Sequence, residues 1–242
     1  MKYNIIQGLY ILSVNFLIFL ILPSTAFTQQ FHTGKYGLSY IDKVEEYQRS
    51  VKKDSTKQMV NLQFLIHTIV LDLRYASTNN FMGKRMYPKN THNTYLRLPA
   101  ALALRKVQQD LNNAGFGLKI FDAYRPYRVT EKFWELVHDD RYVADPKKGS
   151  GHNRGIAVDL TLINLHSGEE LPMPTGFDNF TDSAHQDFMQ LPDYVIRNRE
   201  LLKNTMVKYG FVPFATEWWH FSLPNPEQYE VLDLSFKELE EE

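Results

Sequence analysis

Ser150-Gly151-His152-Asn153-Arg154-Gly155-Ile156-Ala157-Val158-Asp159-Leu160-Thr161-Leu162 is the stretch on which the reading of this chain turns. Its second half, Ala157 to Leu162, is a short apolar run of the kind that forms a buried strand. Its first half is a loop bracketed by glycines. Asp159 interrupts the apolar run, and a carboxylate there is costly to bury unless it is paired, hydrogen-bonded or on a metal. His152 lies seven residues earlier, in the loop. Two readings follow: a His and an Asp that share a metal, or a structural aspartate bonded to backbone. The segment by itself leaves both open.

Working outward, the elements alternate irregularly. Ile66 to Leu73 alternates and is β-branched, which reads as a strand. Asn79, Asn80 and Gly83 mark a loop. Pro99 to Asn113 reads as a helix, with Pro99 in its first turn, an apolar face through Ala100, Leu104, Val107 and Leu111, and Gly115 as its stop. Leu118 to Asp122 reads as a strand and Val129 to His138 as a helix. Leu165 to Gln190 is long, rich in Gly, Pro and Asp, and without periodicity, a kind of loop that is often functional. Tyr194 to Lys208 reads as a second strong helix ended by Gly210, and Trp218 to Leu223 as a last strand. Without regular βαβ alternation, the expected class is α+β: a mostly antiparallel sheet with helices packed on one face.

The chain has 242 residues, 43% hydrophobic and 23% charged, with a net charge of -1. That composition suits one globular domain and leaves no electrostatic footprint for nucleic acid. With no cysteine, disulfides and thiolate metal sites are excluded, so any metal must use His, Asp or Glu. At the N-terminus, Lys2, an apolar run from Gly8 to Leu22, Pro23 and then Ser24-Thr25-Ala26 follow the order of a secretory signal peptide. The expected organisation is a leader over residues 1–26, a polar lead-in over 27–57 and a compact domain over 58–242. Ile41, Val44, Tyr47 and Val51 recur at helical spacing inside the lead-in. The expected location is exported and periplasmic, with no stable membrane insertion once the leader is removed.

Two more segments carry chemistry. In Glu217-Trp218-Trp219-His220, an acid three residues before a His and flanked by indoles resembles a shielded acid/base site; the alternative is an aromatic core strand with a surface Glu. A third ligand from His220 would complete the two-His, one-carboxylate set of many catalytic zinc sites, which keep a position open for water. In Asp122-Ala123-Tyr124-Arg125-Pro126, Arg125 follows a strand end, where a guanidinium can stabilise an oxyanion; the alternative is a surface ion pair with Asp122. His32, His67, His92, His138, His166 and His185 have no motif around them.

Taken together, and in this order along the chain, the segments resemble the D-alanyl-D-alanine dipeptidases of bacterial cell-wall metabolism, the group that includes the vancomycin-resistance dipeptidase. Asp122 to Pro126 is similar to that family's D-x-Y-R-P, Ser150 to Asp159 to its S-x-H-x-x-G-x-A-x-D, and Glu217 to His220 to its E-W-W-H. Leu73-Arg74-Tyr75-Ala76 with Asn79-Asn80-Phe81 is similar to its early segment. Ala123 departs from the family pattern, standing where a Gly is common, and Gly151 and Asn153 fill variable-looking slots. The resemblance implies one zinc per chain, held by His152, Asp159 and His220 at the sheet. It implies Glu217 as the general base, Arg125 as the transition-state stabiliser, Tyr75 and Asp178 as holders of the substrate's amino group, and Ser150 as a substrate contact. The implied reaction is zinc-dependent hydrolysis of D-Ala-D-Ala, a small peptide substrate. A related zinc carboxypeptidase or endopeptidase acting on longer wall peptides is one alternative. A non-catalytic wall-binding module is another, against which the intact Glu217 argues.

Overall fold

The computed structural model describes residues 31–140 and 142–241; the expected leader lies outside them. The chain opens with a short antiparallel pair, β1 (His32–Thr33) and β2 (Ser39–Tyr40), followed by α1 (Val44–Lys53). A second small pair joins β3 (Met59–Asn61) to β5 (Tyr95–Arg97), with the one-turn α2 (Leu62–Leu65) after β3. The principal sheet contains β4 (Val70–Leu71), β6 (Phe116–Asp122), β7 (Ala157–Asn164), β9 (His220–Ser222) and β8 (Val212–Pro213), side by side in that order. Only β4 and β6 pair in parallel; the other neighbours are antiparallel.

Two long helices cover one face of that sheet. In α3 (Leu98–Asn113) the buried positions Ala100, Leu104, Val107 and Leu111 fall at intervals of four, three and four, which aligns them on one side. In α5 (Asp193–Lys208) Val195, Arg199, Leu202 and Met206 do the same. Leu118 and Ile120 of β6 and Val158, Leu160 and Leu162 of β7 meet these helices in one core. The alternation of β7 therefore turns Asp159 to the opposite face. Gly115, with φ +84°, stops α3 in a backbone conformation that side chains disfavour.

While α2 packs in the first core, a second forms around α1, α4 (Tyr127–Val137) and the C-terminal α6 (Phe236–Glu240). The expected lead-in joins it. Its amphipathic helix forms as α1, but the segment is more than a polar surface stretch: Ile41 and Tyr47 are buried in this core, and Ile41 bridges to Leu232. Burying a side chain like Ile41 contributes about 1.5–3 kcal/mol, enough to fasten the segment to the domain.

One expected strand is largely absent. Of Ile66 to Leu73, only Val70 and Leu71 pair in the sheet. Just upstream, the Asn61 side chain accepts hydrogen bonds from the backbone N–H groups of Gln63 and Phe64, capping the turn of α2. Ile66 and Ile69 then enter the core from irregular backbone. No helix among the described residues is long and apolar enough to cross a membrane.

Candidate metal centre and active site

Three pieces of the chain bring the candidate ligands together. Asp159 on β7 and His220 on β9 are direct cross-strand partners, so their side chains project from the same face of the sheet. His152 comes from the loop before β7. That loop closes tightly: Ile156 and Ala157 both donate backbone hydrogen bonds to the Gly151 carbonyl, at 3.0 and 3.2 Å. Gly151 is required there, because a Cβ would stand 2.8 Å from that of Ala157.

The candidate ligand atoms converge. His152 Nε2 lies 3.2 Å from His220 Nδ1 and 3.3 Å from Asp159 Oδ2, and His220 Nδ1 lies 2.9 Å from Asp159 Oδ1. Zinc bonded tetrahedrally at about 2.0–2.1 Å separates its ligand atoms by roughly 3.3 Å, close to these spacings. The tautomer also fits. His152 Nδ1 is 2.7 Å from the Ala123 carbonyl, so it carries the proton and leaves Nε2 as a bare lone pair. Burial works to raise the Asp159 carboxyl, but the His152 and His220 rings outweigh it and hold the group well below the usual range. The donor set thus suits a divalent cation of zinc's preferences. It is also the only group of three or more such side chains found to converge among the described residues; the six other histidines stand outside it.

Glu217 sits in the turn between β8 and β9, its Oε2 3.8 Å from His220 Nδ1. Burial raises its proton affinity, with Asp159 adding to the effect and His220 opposing it. Trp219 beside it is buried and lines the same cavity.

Arg125 is not the surface ion pair offered as its alternative. It is 8% exposed, and its Nε and Nη2 donate to Asp122 Oδ2 at 3.0 and 2.8 Å. Its guanidinium lies against the rings of Phe133 and Tyr75, 4.9 and 5.2 Å from their centroids, and Nη2 is 3.9 Å from Asp159 Oδ2. Asp122 reaches this position through a β-bulge. Ile120 pairs with Leu160, yet Asp122 pairs with Asp159, so one extra residue, Phe121, is accommodated in β6. The bulge brings Asp122 onto the face that carries Asp159.

At the far end of the cavity, Tyr75 donates its hydroxyl to Asp178 Oδ1 at 3.0 Å, and the Phe81 backbone N–H approaches Asp178 Oδ2 at 3.3 Å. Asp178 occupies left-handed backbone, φ +60°. Burial, reinforced by the charge of Asp159, pushes its carboxyl up to about 7. The long Leu165–Gln190 loop that carries it is pinned by the buried Arg199 of α5, which donates to the His185 and Phe188 carbonyls.

All eight residues singled out in the sequence line one cavity of about 250 Å3. Ser150 also acts locally, its Oγ accepting from the His152 backbone N–H at 3.1 Å. Asn153, in a slot that looks variable in sequence, is fully buried. Its side chain accepts from the Ser150 N–H and donates to the Arg125 carbonyl and to Thr130 Oγ1, at 2.8–2.9 Å. It ties the loop that carries His152 to the backbone of Arg125. Tyr87, with no motif around it, is buried and donates to Asp122 Oδ1 at 2.6 Å.

Comparison with known proteins shows the family. A D-Ala-D-Ala dipeptidase family model of the M15 peptidases matches residues 55–238. A D-alanyl-D-alanine dipeptidase of Escherichia coli K12 is 37% identical over 177 residues, 73% of this chain and 90% of that protein. One from Streptomyces coelicolor is 32% identical over 189 residues, 68% and 92% of the two chains. Among solved structures, VanYB in complex with D-Alanine-D-Alanine is similar over 57% of this chain and 76% of that one, at 14% identity and a TM-score of 0.38. By the family match over most of its length, the chain belongs to the D-Ala-D-Ala dipeptidases of the M15 zinc peptidases.

Proposed function

We propose that the protein hydrolyses D-Ala-D-Ala and related short peptides outside the cytoplasm, with Glu217 as general base. The carrying observation is that one cavity holds a metal-ligand triangle beside Glu217 at one end and a buried carboxylate, Asp178, at the other. His152, Asp159 and His220 hold the zinc. When bound, it supplies Lewis acidity that polarises the scissile carbonyl and lowers the pKa of water to about 7.

The protein's own groups do the rest. Glu217, its proton affinity raised by burial, takes the proton of the attacking water and returns it to the leaving amine. Arg125, held against Asp122 beside Asp159, donates to the oxygen that becomes negative as the carbonyl carbon turns tetrahedral. Asp178 and the Tyr75 hydroxyl receive the substrate's ammonium group, which restricts attack to the first peptide bond. Trp219 and Phe133 exclude bulk water from the cavity that these groups share. The exported location rests on the leader pattern of residues 1–26.

The deciding experiment is hydrolysis of D-Ala-D-Ala by the zinc-loaded chain lacking residues 1–26, beside N-acetyl-D-Ala-D-Ala and a wall pentapeptide. Release of D-Ala from the free dipeptide alone is expected. Preference for the blocked or longer substrates would move the protein to the carboxypeptidase or endopeptidase branch.

A further inference from the structure

We infer that Tyr87 is a positioning residue for the reaction, fixing Arg125 through the Asp122 carboxylate to which both side chains donate. The inference rests on the proposed role of Arg125 at the developing oxyanion.

Both Arg125–Asp122 hydrogen bonds converge on a single carboxylate oxygen, Oδ2. A carboxylate held from one oxygen only is free to swing about its Cβ–Cγ bond, and the guanidinium would swing with it. The second oxygen decides the matter. Oδ1 accepts from the Tyr87 hydroxyl at 2.6 Å, short for an O–H donor on a carboxylate and therefore strong. Asp122 is wholly buried, so water offers no substitute donor. The plane of the carboxylate is fixed from both sides, and with it the direction of Arg125.

Tyr87 is itself held. Its ring is 3% exposed and packs against Phe236 and Tyr75, with centroids at 4.9 and 5.8 Å. Its backbone N–H donates to the Tyr75 carbonyl at 2.9 Å. One residue therefore joins the segment that meets the substrate's amino group to the carboxylate that aims Arg125. It is not among the residues that line the cavity, so removing its hydroxyl should act on the transition state rather than on binding.

The test is Tyr87→Phe, which keeps the ring and deletes the hydroxyl. Expected are a kcat for D-Ala-D-Ala lowered about tenfold, as for loss of a hydrogen bond to a charged group, an unchanged KM and one zinc per chain. Placed on Arg125→Ala, the same change should cost nothing further, because Tyr87 acts only through that side chain. Arg125→Lys replaces the alanine variant should that one fail to accumulate as folded protein. A normal kcat in Tyr87→Phe, a loss expressed in KM or zinc content, or a full additional loss on the Arg125 variant would each overturn the inference. A normal kcat in the Arg125 variant alone would instead strike at the role assigned to Arg125.

Discussion

The two ends of the cavity are built differently. At the metal end, Asp159 and His220 face each other across paired strands, and His152 hangs on a loop closed onto β7 by its own backbone hydrogen bonds. At the amine end, Tyr75 lies in a single 3-10 turn, and Asp178 sits in a long irregular loop that meets it from 103 residues away. Strands hold ligand atoms to the tolerances that a metal and a transition state demand, while loops can change what is admitted without disturbing them. Changes at the first end should therefore strike turnover, and changes at the second should strike selection.

The largest expected effect is Glu217→Ala. It should keep one zinc per chain and lose activity by ~10³-fold or more, towards the upper range for a positioned general base. Loss of the metal would make Glu217 a ligand and redraw that end of the cavity. Next is Arg125→Ala, expected to lower kcat by ~10²–10³ with zinc retained; steady-state kinetics and metal analysis check both.

At the other end, Asp178→Asn should raise KM for the free dipeptide by roughly 10-fold or more, as expected for a lost charged hydrogen bond. It should also narrow the preference over the N-acetylated dipeptide while leaving kcat nearly intact. A fall in kcat with unchanged KM would break the division between the two ends. The smallest effect is on pH. The free Asp178 carboxyl is pushed up to about 7, and only its ionised form attracts an ammonium group. Activity per KM should therefore fall as pH drops below that value, and Asp178→Asn should remove the limb. A limb that survives the substitution belongs to another group.

The same contrast governs what could be read in the sequence. α3 was legible from its apolar face and its Gly115 stop, α5 from a long helical stretch ended by Gly210, and β6 and β7 from short apolar runs. The candidate ligand set was legible only through the family resemblance that the motifs carry together, since each motif alone left a structural alternative open. Ile66 to Leu73 misled because an alternating pattern states only that a strand is possible. Asn61 caps the preceding turn, and Val70 and Leu71 alone find a partner. Tyr87 and Asn153 were illegible for another reason. Each acts by hydrogen bonds to residues distant in sequence, Tyr87 across 35 positions and Asn153 across 28 and 23, and no local spacing records such a partner. Ile41 and Tyr47 showed their helical period, but the second core that receives them is assembled from segments spread along the chain, from Met59 to Leu239.

The bulge in β6 makes the reaction depend on a number as well as on residue types. Were β6 paired regularly through Phe121, that residue would stand opposite Asp159, and Asp122 would fall opposite Val158 on the helix-covered face. The Tyr87 hydroxyl and the guanidinium three residues on could not both follow, since Tyr87 is anchored to a different segment. A mutation that leaves every functional side chain intact could thus silence the enzyme by straightening the strand at this one position. Length at this point is inherited information, as much a part of the active site as the groups it aims.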